Sequence, residues 1–299
     1  MISVIITTYK RHEFLINAIN SVLNQTYQDF EIIVVDDNGK DSPYRLEIEN
    51  IMKGYEDNCK ITYLKYDTNK GACYARNYGI NHSNGEYIAF LDDDDEFYPD
   101  KLKELIEKFV TNDIGIACSK MDIFDAVSDK FLRKSRFKGK ETVRYSLNDF
   151  FKDKVVIQGT STLMFTRDSL EKVNGFTEIP SHQEAYLILK VLKAGYLAVV
   201  SNETLVKYRD HSNDKKSVGK SNKAELGRKI YYEYYLKLIN ELENENDKRI
   251  ALYYYHYLNC CYWLDKNCEN AKKELKKMLS CKIFKLNTLK ILIKWLMRK

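Results

Sequence analysis

The sequence predicts an α/β fold in its first two thirds and an all-helical extension in its last third. Short β-branched and aromatic segments alternate with helical patterns over the first hundred residues, which is the signature of parallel strands joined by helical crossovers. Three of those segments are apolar almost without interruption, as strands covered on both faces are. After about residue 215 the strand pattern gives way to Tyr-rich amphipathic stretches.

The strands predicted in order are "ISVIITT" (2–8), "EIIVVDD" (31–37), "KITYLKY" (60–66) and "EYIAFLD" (86–92). Between the first two, Leu15, Ile19, Val22 and Leu23 share one helical face. "PDKLKELIEKFV" (99–110) reads as a helix with Pro99 in its first turn. From 114 to 210 the pattern is mixed: short strands in "IGIACSK", "STLMFT", "YLAVVS" and "TLVKYR", a loop-like stretch at 128–145, and a helix over 182–193 closed by Gly195. The Ser-, Asn-, Lys- and Gly-rich stretch "HSNDKKSVGKSN" (211–222) carries the boundary, giving domains 1–214 and 215–299. Helices are expected beyond it at 222–245, 248–265, 268–279 and 286–298.

Composition agrees with a globular chain: 44% of 299 residues are hydrophobic, with only 12 Gly and 3 Pro, so disordered and fibrous classes are excluded. Charge is unevenly placed. Residues 1–214 carry 28 Lys and Arg against 34 Asp and Glu, whereas residues 215–299 carry 20 against 9. A basic tail beside an acidic body fits either a solvated helical face or an anionic partner surface. The seven cysteines form no CxxC and sit among apolar neighbours, as reduced thiols of a cytoplasmic protein do. "MISVIITTYK" has neither the basic start nor the cleavage site of a signal peptide, and no run is long and apolar enough to span a membrane.

In α/β sheets ligands bind outside the carboxyl ends of the strands. Polar and acidic residues gather at that edge: "TTYKR" (7–11) after the first strand, Asp36 and Asp37 after the second, and Asp92 to Asp95 after the fourth. An acidic run is ordinarily a solvated turn. At a ligand edge it instead offers oxygen ligands to a hard divalent cation such as Mg²⁺ or Mn²⁺. Strand alternation predicts that Asp92 and Asp94 converge while Asp93 and Asp95 face elsewhere. Thr7 and the ring of Tyr9 could hold a flat base, and Asp37 could accept the imide N–H of a uracil, a hydrogen that cytosine lacks.

"SVIITTYKR", "FEIIVVDDN", "NKGACYARNYGI", "GEYIAFLDDDDEFYPDKL", "NGFTE" and "VLKAGY", in this order, resemble a family 2 glycosyltransferase across residues 1–210. The resemblance implies the GT-A fold, a Rossmann-like, mixed and mainly parallel sheet flanked by helices. It implies a metal-dependent, inverting hexosyltransferase that moves a sugar from a UDP-sugar to a glycan or lipid-linked acceptor in surface polysaccharide synthesis, with no nucleic acid partner. Carried over by position, Thr7, Tyr9, Arg11 and Asp37 hold the nucleoside and phosphates, Asp93 lies by the ribose, and Asp92 and Asp94 bind Mn²⁺ or Mg²⁺. His211 stands where many members carry a histidine that completes the metal shell or touches the diphosphate, and Arg76 is expected to pair with a carboxylate and order the edge. Inversion needs a general base, and the motif that supplies it has drifted to "HQEAY", leaving Glu184 as base with His182 as its rival. In the last predicted helix Leu286, Leu289, Ile293 and Leu296 form a stripe with Lys290, Lys294 and Arg298 away from it. Such a helix suits peripheral contact with the inner face of the plasma membrane, or a homodimer. Two other classes compete: a sugar nucleotidyltransferase, which "TTYKRHEF" disfavours by lacking a Gly-rich loop, and a catalytically silent nucleotide-binding module.

Overall fold

The computed structural model describes residues 1–135, 138–157, 159–211, 222–264, 266–283, 288 and 290–292. They form two compact units, one of Met1–Ser146 with Val156–Arg228, the other of Leu147–Val155 with the chain from Lys229 onward. The interior of the sequence-derived boundary, residues 212–221, lies outside the described residues.

The first unit opens with β1 (Ile2–Thr8), α1 (Leu15–Leu23), β2 (Phe30–Asp36), α2 (Pro43–Lys53), β3 (Ile61–Lys65), α3 (Ala72–Asn81) and β4 (Tyr87–Asp92). β5 (Glu96–Phe97), α4 (Lys101–Ile106), β6 (Ile114–Asp125) and β7 (Phe131–Lys134) follow. After α5 (Leu147–Phe151), which belongs to the second unit, come a 3-10 turn (Thr160–Thr162), β8 (Leu163–Thr166), α6 (Arg167–Lys172), α7 (Gln183–Lys193) and β9 (Leu197–Asp210). The sheet order is β3-β2-β1-β4-β8-β6-β9-β5, with β7 paired to β6. β1 to β4 are parallel, β8 runs antiparallel to both β4 and β6, and β6 and β9 are parallel again.

Apolar burial explains the elements. Every residue of β1 except Thr7 is buried, because helices cover both faces. α1 buries Leu15, Ala18, Ile19 and Val22, the i, i+3, i+4, i+7 positions of one face. α3 approaches the sheet most closely at Gly79, where a Cβ would stand 2.6 Å from Ile5 Cγ2; this contact fixes the depth of Arg76 one turn earlier.

Three elements differ from the sequence expectation. The first is β7, which forms at Phe131–Lys134 inside the stretch read as loop-like and pairs with β6. "YLAVVS" and "TLVKYR" belong to one strand, β9, because the chain stays extended through Asn202 and absorbs the polar interruption as register shifts against β6. The helix expected at 99–110 is limited to Lys101–Ile106, and the Pro99 carbonyl accepts the Thr26 N–H at 2.9 Å.

Lys101 is fully buried and donates to the Thr162 carbonyl at 3.1 Å, so it anchors the 3-10 turn that precedes β8. Burial pushes its ammonium down to about 7.

The remaining helices are α8 (Asn222–Asn240), α9 (Glu245–Leu264) and α10 (Cys268–Ser280). In the second unit Tyr253, Cys260, Leu264, Ala271, Leu275 and Met278 form the core of α9 and α10, and the Asn267 side chain caps α10 by accepting the Asn270 N–H. All seven cysteines are free thiols. Of the helix expected at 286–298, only residues 288 and 290–292 are described; the stripe residues Leu286, Leu289, Ile293 and Leu296 all lie outside the described residues. No described helix is long and apolar enough to cross a membrane.

Lys101 makes the fold's stability depend on pH. The unfolded chain holds the Lys101 proton up to its ordinary pKa of 10.5, the folded chain only up to about 7, so the unfolded state binds more protons between those values. Stability must therefore rise with pH across that window, and below it the cost of the buried amine is fully present. Denaturant unfolding from pH 7 to 9.5 should show wild type gaining about 1 kcal/mol per pH unit relative to Lys101→Met. Parallel profiles for the two proteins would contradict a neutral buried amine.

Candidate active site

The parallel registers set Thr7 beside Asp92 and Thr8 beside Asp36, so the carboxyl ends of β1, β2 and β4 form one edge. The acidic run starts on the last residue of β4 and then turns, with the Asp95 N–H bonded to the Asp92 carbonyl at 3.0 Å. Strand alternation therefore does not extend past Asp92, and the expected pairing of Asp92 with Asp94 against Asp93 with Asp95 is corrected by this turn.

The four carboxylates take different partners. Asp92, with 31% of its side chain exposed, meets Arg76 Nη2 at 2.9 Å. Asp93 is buried, accepts the Tyr9 N–H at 3.3 Å and lies 3.7 Å from Arg11 Nε. Asp94 is buried and its Oδ2 meets both Arg11 Nη1 and His211 Nε2, the latter at 2.7 Å. Asp95 is buried and accepts from Ser161 Oγ at 2.5 Å and from the Arg209 N–H at 3.0 Å, not from the turn into α4. Burial pushes the Asp93 and Asp95 carboxyls up; the Arg11 charge pulls Asp93 back, while Asp94 pushes Asp95 further.

Thr7 is half-buried in β1, and Tyr9 is 41% exposed with Lys10 Nζ 5.0 Å from its ring centre. Asp37 differs from its expected placement. It is buried, and its two oxygens accept from Tyr66 Oη at 2.7 Å, Asn69 Nδ2 at 2.6 Å, the Lys70 N–H at 2.8 Å and the Gly71 N–H at 2.9 Å. A carboxylate has about four lone-pair sites, so the protein already fills those that an imide N–H would use. Asp37 orders the loop at 66–71, so its oxygens are already engaged by the protein's own donors where the sequence reading expects a uracil contact.

Glu184 stands in the first turn of α7, after His182 in a left-handed conformation at φ 61°. Half-buried, it lines a cavity of about 560 Å³ with Met121, Ile123, Arg133, Ile157, Tyr208 and Asp210. Burial raises its carboxyl, and Arg76 is the cation that lowers it. Arg76 Nη1 also meets Gln183 Oε1 at 2.9 Å, so one guanidinium ties the end of β4 to the start of α7. His182 lies 3.0 Å from Ser181 Oγ and does not line that cavity.

Ser161, Tyr208, Arg209 and Gln183 escaped the sequence reading. Tyr208 and Asp210 alternate along β9 and both face the cavity, a period-2 signal that was available; Ser161 carries no such signal, because its role depends on β8 pairing with β4.

Among the described residues no group of three or more His, Cys, Asp or Glu side chains stands in metal-binding geometry. Asp94 Oδ2 and His211 Nε2 do converge, and the charge that they face is the Arg11 guanidinium. This oxygen and imidazole pair suits a divalent cation that takes its other ligands from phosphate and water.

A mixed sheet in this order, ending in an acidic edge beside a carboxylate-lined cavity, is the GT-A fold. The chain belongs to glycosyl transferase family 2, which it matches over residues 3–173, and it is a glycosyltransferase. It is 28% identical over 240 residues to TuaG of Bacillus subtilis (strain 168), a glycosyltransferase assigned to teichuronic acid biosynthesis, covering 78% of this chain and 87% of that one. Its fold is similar to S. aureus TarS 1–349 in complex with UDP-GlcNAc, with a TM-score of 0.67 at 16% identity over 93% of this chain and 81% of that one. A mannosyltransferase of Pyrobaculum calidifontis in complex with GDP-Man and Mn²⁺ superposes with a TM-score of 0.60 at 15% identity, covering 99% of this chain and 79% of that one.

The saturation of Asp37 makes it a structural group. Asp37→Asn places an amide donor against four donors and should cost about 2 kcal/mol or more in denaturant unfolding. A change within about 0.5 kcal/mol, the range of ordinary surface substitutions, would instead mark Asp37 as a group held for a ligand.

Proposed function

We propose that this glycosyltransferase takes its sugar from a UDP-sugar and passes it, with inversion, to a hydroxyl of a glycan or lipid-linked acceptor in surface polysaccharide synthesis. The observation that carries the reading is Glu184: a half-buried carboxylate whose proton affinity burial raises, set in a cavity wall next to Gln183, which Arg76 ties to the acidic edge. The TarS complex with UDP-GlcNAc supports a uridine donor, and the TuaG name supports a polysaccharide product.

Inversion is a single displacement. The acceptor oxygen forms its bond to the anomeric carbon as the bond to the diphosphate oxygen breaks, and the hydroxyl proton passes to Glu184. Tyr9 offers an exposed ring for base stacking, with Thr7 beside it at the strand end. Asp93 serves the ribose side. Arg11, at the mouth of the acidic edge, serves the diphosphate. Asp94 and His211, with Asp92 at the rim, would hold Mn²⁺ or Mg²⁺, as the Mn²⁺ in the mannosyltransferase supports. When bound, such a cation supplies charge neutralisation to the departing diphosphate.

Glu184→Gln should lower kcat by about 10²- to 10⁴-fold in a UDP-sugar transfer assay while the UDP Kd stays within about threefold. Retained turnover would remove Glu184 from the role. The pH profile adds a second reading. The base works deprotonated, so activity rises through its pKa, and removing the Arg76 charge in Arg76→Gln should move that limb to higher pH.

Arg11 and a metal compete for Asp94. Calorimetry with Mn²⁺ on nucleotide-free protein should therefore show Arg11→Gln binding several-fold more tightly than wild type. Weaker binding would show that the guanidinium does not stand in for the cation.

A further inference from the structure

We infer that the acceptor is acidic, carrying a carboxylate or phosphate group that Arg133 binds across the cavity from Glu184; this rests on Glu184 being the general base. Among the described residues Arg133 contributes the only basic side chain to the lining of the cavity, whose other described lining residues are Met121, Ile123, Ile157, Gly159, Tyr208, Glu184 and Asp210. It does not act as the counter-ion of Glu184, since Arg76 is the cation that acts on that carboxylate. The two groups thus face a space of about 560 Å³, within the range of ligand pockets. An acceptor with its hydroxyl at Glu184 can place an anionic substituent at the guanidinium, whose planar fork matches carboxylate and phosphate oxygens.

Arg133 is set by its hairpin. β7 is fixed on β6 in the register Ile123 to Arg133, and Ile123 lines the same cavity. The Asp125 carboxylate accepts the Val127 and Ser128 N–H groups, Asp129 takes the left-handed turn position at φ 52°, and its carboxylate is bound by Lys207 at 2.8 Å. The bland alternative is a surface ion pair with Asp210. That pair is loose, at 3.6 Å with 59% of the Arg133 side chain exposed, a geometry that contributes little to stability. A sequence signal accompanies it: residues 130–140, "KFLRKSRFKGK", carry six Lys and Arg and no acid, in a domain whose balance is acidic.

The test is calorimetric binding to protein saturated with UDP and Mn²⁺. The probes are glucuronic acid oligosaccharides against their methyl esters, and glycerol phosphate oligomers against glycerol. Wild type is expected to bind one acidic probe at least tenfold more tightly than its neutral counterpart, and the responding arm identifies carboxylate or phosphate. Arg133→Gln should abolish that preference, Arg133→Lys should restore part of it, Asp210→Asn should keep it, and UDP affinity should be the same in all. No acidic preference in wild type overturns the inference. So does an equal loss in Asp210→Asn, or an Arg133→Gln defect confined to cosedimentation with phosphatidylglycerol vesicles. Glu184→Gln separates the two readings: it should still bind the acidic probe, and if it also still transfers sugar, the base assignment fails while the Arg133 result stands.

Discussion

Repulsion within Asp92–Asp95 is the constraint on which the site is built. Two unit charges about 6 Å apart at an effective dielectric near 20 repel by about 3 kcal/mol, and three of these four carboxylates are buried. Exposed ion pairs, contributing about 0 to 1 kcal/mol, would not offset that, so each aspartate draws on a partner that is itself held in place. α3 supplies Arg76, the loop after β1 supplies Arg11, the 3-10 turn supplies Ser161, and β9 with the residue after it supplies Arg209 and His211. Four parts of the chain, distant in sequence, are brought to one edge by the charges they neutralise. Lys101 extends the same logic: a buried amine is tolerated because its bond to the Thr162 carbonyl holds the turn that carries Ser161.

Legibility in the sequence follows from how local each cause is. β1, β2 and β4 were readable because two-faced burial demands continuous apolar runs, and the ligand edge followed from their carboxyl ends. The acidic run was located correctly, but its internal geometry was not, since whether a chain turns after Asp92 depends on a bond between Asp95 N–H and the Asp92 carbonyl that residue type does not announce. Asp37 shows the same limit from the other side. A carboxylate at a strand end has the same appearance in sequence whether it faces a ligand or, as here, collects donors from residues 66–71. Arg133 was hidden because its meaning depends on a hairpin register that brings it over Ile123.

Arg76 explains how the altered stretch "HQEAY" remains compatible with a base. Its guanidinium serves Asp92 directly, meets the Gln183 amide oxygen, and lowers the proton affinity of Glu184. A carboxylate at position 183 would divide that one buried charge among three anions and leave each less well neutralised. Gln183 presents a carbonyl oxygen in the same place at no charge, keeping the hydrogen bond that aligns α7 with β4 while leaving the cation to Asp92 and Glu184. The loss of an acid beside the base thus concentrates the Arg76 field on the two carboxylates that remain. Glu184, pushed up by burial and by Asp92 and drawn down by its own backbone N–H and by Arg76, keeps a proton affinity set by the balance of those causes.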